Sequence, residues 1–265
     1  MEVKQIMIAS KRKIQIGFTI IEVMIAVMVS SILIAAVYQT FHSQQRSYTM
    51  QNEAVAMEQN LRGSLYLLTK ELRSAGYNPM QTPTDSSDPT KNFRFVTSFP
   101  TPNNLFTVNY ADAHFTVAFT LDTDGSGGIE SNRNEQIAYK FDKDTKTLQR
   151  FNDMQADITK KWEIVASNIE AVYFVYYDQS RTVTTNQASI EYVEISLLVR
   201  MAKQDSKYKN ETVYKTNKGV KLCLEVMKPA TDKCPNDSFG DHYHRRLLTT
   251  TIQIRNKLFE PNTSS

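Results

Sequence analysis

The distribution of apolar and polar positions divides the chain into three regimes. Residues 18–37 are apolar on every side, broken only by Thr19, Glu22, Ser30 and Ser31. That length matches the roughly 20 residues that cross a bilayer as a helix. The segment holds no proline, glycine or positive charge, and serine hydroxyls can return their protons to carbonyls one turn back. From Gln39 polar residues take over. Apolar positions then return at Ala54, Met57, Leu61, Leu65, Leu68, Leu72 and Ala75, in steps of three and four that share one helical face. No proline occurs between Phe18 and Gly76, and Gly63 is the single weak helix former. Gly76 is placed to cap the helix and Pro79 to stop it. The pattern therefore predicts one helix of about 60 residues, spanning roughly 90 Å. Its first half suits lipid or other helices, and its second half offers an apolar stripe to a folded domain.

Residues 80–102 are rich in Pro, Thr, Ser and Asp and read as a long loop, with a short strand near 93–96. Beyond them the periodicity changes to two. Residues 114–121 and 136–141 alternate, and further strands are predicted at 147–151, 169–177, 192–201 and 247–255. A helix followed by a run of strands argues for an α+β fold, with an antiparallel sheet packed on the helix stripe. The expected organisation is a leader at 1–17, a long helix at 18–78 with 18–37 as the membrane or filament segment, and a β-rich domain at 79–265.

The junction between leader and helix carries the most chemistry. Lys4, Lys11, Arg12 and Lys13 precede Gly17, and the apolar run starts at once with Phe18. The positive-inside rule keeps the leader cytoplasmic and sends the C-terminal bulk outward. A secretory signal would place its small-residue cleavage site after the apolar run. Here the small residue, Gly17, comes before it, so cleavage there leaves the helix on the mature protein. Glu22 is the one charge in the apolar run, and an ionised group in such a setting is a functional candidate by default.

The series basic leader, Gly17-Phe18-Thr19, two apolar residues, Glu22-Val23 and an unbroken apolar helix resembles the class III signal of type IV prepilins and pseudopilins. The resemblance implies cleavage between Gly17 and Phe18 by a prepilin peptidase, and N-methylation of Phe18. It also implies that Glu22 pairs with the new terminal amine of a neighbouring subunit. Leu68-Thr69-Lys70-Glu71-Leu72-Arg73-Ser74-Ala75-Gly76-Tyr77 resembles the L-R-x-A-G-Y helix ending of minor pilins of the PilW type. Ile169-Glu170 through Tyr177, and Arg245-Arg246 through Asn256, resemble two later strands of that family. The implied fold is pilin-like. The implied partners are other pilins in a filament, the prepilin peptidase and an inner-membrane assembly platform, and the implied role is priming or capping a type IV pilus. A minor pseudopilin of type II secretion shares these features.

Other motifs change the picture less. Residues 122–135 start like a calcium loop, with Asp122, Asp124, Ser126, the Gly128 carbonyl and Glu130 as candidate ligands and a glycine at the sixth position. The twelfth position is Arg133, which cannot ligate, so Glu135 would have to substitute through a bulged loop. The competing reading is a Gly/Asp-rich hairpin loop with solvated carboxylates. If Ca²⁺ binds, a membrane-anchored calcium-dependent adhesive module is the alternative function. Cys223 and Cys234 form an even pair on the exported side and predict one disulfide, in agreement with the C-terminal disulfide loop of many pilins. A metal site drawing on Asp241, His242 and His244 lacks a matching ligand spacing. The net charge of the 265 residues is +3, and loss of the leader leaves the mature chain near neutral, which gives no reason to name nucleic acid as the main partner. No nucleophile elbow, P-loop, zincin or dinucleotide fingerprint is present, so no enzyme is expected.

Overall fold

The computed structural model describes residues 17–82, 93–96, 116–130, 133–154, 162–222 and 238–256. The leader ahead of Gly17, most of the long loop, His114 and both cysteines lie outside the described residues. By contacts the chain divides into two units, one ending at Met50 and one starting at Gln51.

In the first unit, helix α1 (Ile20–Leu72) begins on Thr19. Thr19 caps it, because the Glu22 N–H donates to both the Thr19 carbonyl at 3.1 Å and its Oγ1 at 3.3 Å. Satisfying these first donors lets the helix start two residues after the expected cleavage point. The apolar side chains that follow are exposed, among them Ile20, Met24, Met28 and Ile32. The helix is long and apolar enough to cross a membrane. Its hydroxyls do return to the backbone: Ser31 donates to the Met28 carbonyl at 2.7 Å and Thr40 to the Ala36 carbonyl at 2.9 Å.

In the second unit the same helix is one-sided. Leu61, Leu65, Leu68 and Leu72 are buried, and Met57 packs at the edge of the same core. The α-helix ends at Leu72, short of Gly76, and residues 73–76 continue as tight turns, with Ser74 N–H on the Glu71 carbonyl and Ala75 N–H on that of Leu72. Gly76 has φ +73°, and a Cβ there would stand 3.0 Å from the Phe93 carbonyl. Both the backbone conformation and the close approach therefore require glycine.

Strands β1 (Thr116–Thr120), β2 (Gln136–Asp142), β3 (Thr147–Phe151) and β4 (Trp162–Ser167) form an antiparallel meander in that order. Strands β5 (Ile169–Tyr177), β6 (Tyr192–Arg200) and β9 (Arg245–Gln253) form a second antiparallel sheet with β6 central, and the two-residue strands β7 (Tyr214–Lys215) and β8 (Lys221–Leu222) pair with each other. The α1 leucines, Val117 and Phe119 of β1, Ile137 and Tyr139 of β2, and Val193, Ile195 and Leu197 of β6 share one core. The other face of β6 is not solvated. Leu198 joins Ala171 and Leu222 in a smaller cluster covered by Tyr214 and Phe239. Strands β5 and β6 are thus buried on both sides, where simple alternation predicts one wet face. Strand β4 carries no clear period, since Glu163 and Ile164 are exposed and β3 has a register shift beside it.

Polar contacts fix how α1 meets the sheets. Glu71 accepts from Arg150 Nε of β3 at 2.9 Å and from the Tyr139 hydroxyl of β2. Burial, with the Glu71 charge beside it, holds that hydroxyl protonated far above the usual tyrosine range, so it acts as a donor. Glu58 pairs with Arg246 at 3.0 Å and Glu53 with Lys203 at 3.3 Å. The two strands singled out by resemblance meet at Glu170, which is surrounded by Lys146 at 2.9 Å, Arg200 at 3.3 Å and Arg245 at 3.4 Å. Replacing Glu71 with Gln leaves the Arg150 guanidinium charged, nearly buried and without its counterion. The expected loss of stability is about 3 kcal/mol, read as a lower urea midpoint for the detergent-solubilised Glu71→Gln chain; an unchanged midpoint would show that the pair does not hold helix to sheet.

Candidate functional site

Two places carry the candidate chemistry, one in each unit. The first is the start of α1. Among the described residues, chain neighbours aside, no heavy atom lies within 4 Å of the point where a Cβ on Gly17 would stand, and Phe18 is 84% exposed. The backbone on both sides of the Gly17–Phe18 bond is non-helical, and helix begins only at Ile20. A peptidase needs non-helical, accessible backbone of this kind. Glu22 sits in the first turn, where the unpaired N–H groups create a partial positive charge that favours a carboxylate. The Thr19-x-x-Glu22 spacing is the signature of a helix start, a signal that the reading of this segment as a signal sequence passed over.

The second place is the loop between β1 and β2. Asp122 is fully buried. Its Oδ1 accepts from the N–H groups of Gly125 at 2.7 Å and Ser126 at 3.2 Å, and its Oδ2 accepts from Gly127 at 2.9 Å. Gly127 has φ +79°, and a Cβ on it would stand 2.9 Å from Thr82 Oγ1, so the sixth position of the loop requires glycine. Glu135 is also fully buried and folds back across the loop. It accepts from Thr123 N–H at 2.9 Å, from Thr123 Oγ1 at 3.1 Å and from Glu130 N–H at 2.7 Å. Asp153 holds this turn from outside, accepting from the N–H groups of Asn134 at 2.8 Å and Glu135 at 3.2 Å. The side chain of Asn134 in turn accepts from Arg150 at 2.8 Å, which joins the loop to the Glu71 pair.

Oxygens of Asp122, Asp124 and Glu135 lie within 4.8 Å of one another, and among the described residues this is the one such convergence of carboxylate, histidine or cysteine groups. The structure thus brings together three of the six candidate ligands, and Glu135 takes up a place that Arg133 could not fill. It does not add the other three. The Ser126 hydroxyl donates to the Gly128 carbonyl at 3.2 Å, and the Glu130 carboxylate faces Arg133 at 3.4 Å. Arg133 also lies 3.6 Å from Asp124, supplying positive charge at the rim.

Near the C-terminus, Asp241, His242 and His244 turn to separate protein partners. Asp241 bonds Arg245 at 2.5 Å, His242 Nδ1 meets the Tyr208 carbonyl, and His244 stacks on Tyr208 with 3.7 Å between centroids and lies 3.3 Å from Asp205. Burial raises the Asp241 carboxyl, but the Arg245 bond and charge outweigh it and hold the group below the usual range. Cys223 and Cys234 lie outside the described residues.

Comparison with known proteins adds the family. Residues 12–38 match the prokaryotic N-terminal methylation motif, and residues 50–221 match the family described as prepilin peptidase-dependent protein B. Among solved structures, a type IV-like pilin from Thermus thermophilus is similar at 12% identity and a TM-score of 0.43, over 76% of this chain and 97% of that one. The comparison with curated proteins gives no match. This family is structural, not enzymatic. With the methylation motif lying over the Gly17–Phe18 junction and the longer match running from α1 to β8, this type IV pilin-like chain belongs to the prepilin peptidase-dependent protein B family.

Proposed function

We propose that the chain is a minor pilin that primes or caps a type IV pilus, cleaved after Gly17, methylated on Phe18 and held in the inner membrane with its bulk in the periplasm until it is drawn into a filament. The observation that carries this reading is the exposed apolar start of α1 with a single carboxylate, Glu22, in its first turn. Such a surface is stable only under cover, first by lipid and then by the helices of other subunits. Cleavage would create an ammonium group on Phe18, at the positive end of the helix dipole, where it is unfavourable unless a carboxylate offsets it. Glu22 of an adjacent subunit supplies that carboxylate, and the pairing sets the axial register. The PilW-type assignment rests on the Leu72-Arg73-Ser74-Ala75-Gly76-Tyr77 ending, which in this chain turns off the helix and docks on Phe93.

Replacement of Gly17 by tryptophan should block processing, and mass spectrometry of the purified chain should find the unmethylated precursor; a normally shortened, methylated product would overturn the cleavage site. Glu22→Ala should be processed normally but lose incorporation on the order of a hundredfold, since removing one partner of a buried ion pair costs about 3 kcal/mol or more. Quantitative immunoblotting of sheared filaments checks this, and wild-type incorporation would remove the register role.

A second reading concerns the loop of the second unit. The convergence of Asp122, Asp124 and Glu135 favours a hard cation, and we infer that the loop takes Ca²⁺ in the weak range of extracellular modules, roughly 10⁻⁴–10⁻³ M. Calcium held by a membrane-anchored domain would allow calcium-dependent adhesion. Titration of the detergent-solubilised chain with CaCl₂ should raise its melting temperature, and chelator should reverse the rise, while Asp124→Ala shows neither effect. Equal melting curves with calcium and with chelator would leave the loop as a hydrogen-bonded hairpin.

A further inference from the structure

The end of α1 presents a cationic, aromatic groove, lined by none of the residues assigned above to cleavage, register or the calcium loop. It has a volume of about 540 Å³, and its lining includes Tyr66, Lys70, Arg73, Tyr77, Arg255 and Asn256. Tyr66 is 70% exposed and Tyr77 42%. Lys70, Arg73 and Arg255 are exposed, and none has an ion-pair partner among the described residues. Among the described residues no carboxylate lines the groove. The nearest in sequence, Glu71, is turned to Arg150 and Tyr139 on the other side of the helix.

The fold brings these cations together. After β9 the chain runs beside the helix end: Arg255 N–H reaches the Arg73 carbonyl at 3.4 Å, and the Asn256 side chain donates to the carbonyls of Ser74 at 3.2 Å and Ala75 at 3.4 Å. Two arginines distant in sequence thereby line one groove with no acid among the described residues beside them, an arrangement that an anion relieves. The negative end of the helix dipole accounts for part of the placement of Lys70 and Arg73. It does not account for Arg255, which arrives from the sheet, or for the two exposed rings. Tyr66 and Lys70 lie one turn apart on α1, Arg73 and Tyr77 follow in and after the turns that end it, and all four line the groove, so rings stand among the charges.

We propose that this groove binds a single-stranded nucleic acid, with Lys70, Arg73 and Arg255 on successive phosphates and the rings of Tyr66 and Tyr77 as stacking platforms for bases. Cations that track a backbone, combined with accessible aromatic faces, are the recurring solution for sequence-tolerant single-strand binding. An acidic peptide would use the cations and leave the rings idle, so the rings favour the nucleic acid. The near-neutral balance of the mature chain hides this local cluster, because net charge does not record where along the surface the charges lie.

The test uses the whole chain in uncharged detergent and a fluorescent oligothymidylate of about 15 nucleotides, long enough to exceed one binding site, followed by anisotropy. Saturable binding is expected, weakening with salt with a logarithmic slope near −2 for three phosphate contacts. Tyr66→Ala should weaken binding roughly tenfold, while Tyr66→Phe, which keeps the ring, should not. Arg255→Ala should reduce the salt slope by about one contact. Inorganic polyphosphate and polyglutamate serve as competitors, and both should displace the oligonucleotide poorly. Absence of binding, binding insensitive to Tyr66→Ala and Arg255→Ala, or displacement by polyphosphate or polyglutamate as effective as by unlabelled oligothymidylate would each overturn the proposal. None of these readouts depends on cleavage or filament assembly.

Discussion

The packing of one leucine ridge organises the folded unit. Leu61, Leu65, Leu68 and Leu72 recur in steps of four, three and four, and each is almost completely removed from solvent. They lie in the same core as residues of both large sheets, so each sheet completes its hydrophobic face against the helix. A four-stranded meander and a three-stranded sheet of this size would each leave one apolar side wet if they stood alone. The helix supplies the common surface, and its burial of four leucine side chains contributes on the order of 1.5–3 kcal/mol each.

Polar contacts then decide which rotation and height of the helix is allowed. A leucine ridge is tolerant of sliding by a turn, because the next leucine resembles the last. Glu71 is not tolerant. It must meet Arg150 and Tyr139 together, and Arg150 must reach Asn134 at the same time. That chain of contacts continues through Asp153 to the backbone of Glu135, so the geometry of the acidic loop and the seat of the helix are parts of one network. Buried networks of this kind are costly when incomplete, which is how they select a single arrangement.

The first half of the same helix obeys another rule. Its side chains expose apolar surface on all sides, and its one charge lies in the first turn, beside a threonine cap. No described residue covers Ile20, Met24 or Met28, and an apolar surface of this kind fits a single-pass membrane anchor. A family defined by an N-terminal methylation motif and by dependence on prepilin peptidase fits a chain built in this way. The proposed roles of Gly17, Phe18 and Glu22 rest on that exposed apolar surface and on the one carboxylate at its start.

Much of this was legible in the sequence, because it depends on local periodicity. The apolar run, the leucine ridge, the turn at Gly76 and most strands are patterns within ten or twenty residues, and such patterns survive without knowledge of the fold, although the α-helix itself ends at Leu72, four residues before that glycine. Strand β4 was not legible, since an edge strand with exposed Glu163 and Ile164 carries no burial signal. Strands β7 and β8 are too short to show a period. The double burial of β6 depends on what covers Leu198 from the far side. Among site residues, the composition named Asp122, Asp124 and Glu135, but only the folded loop separated them from Ser126, Gly128 and Glu130. The pairing of Arg255 with Arg73 across the helix end likewise required the closing strand to be in place. The sequence by itself determined which segments are apolar and on which face, because that is a property of neighbouring residues. The tertiary structure alone decided which charges meet and which stay unpaired, because those partners lie far apart along the chain and only packing sets their distance.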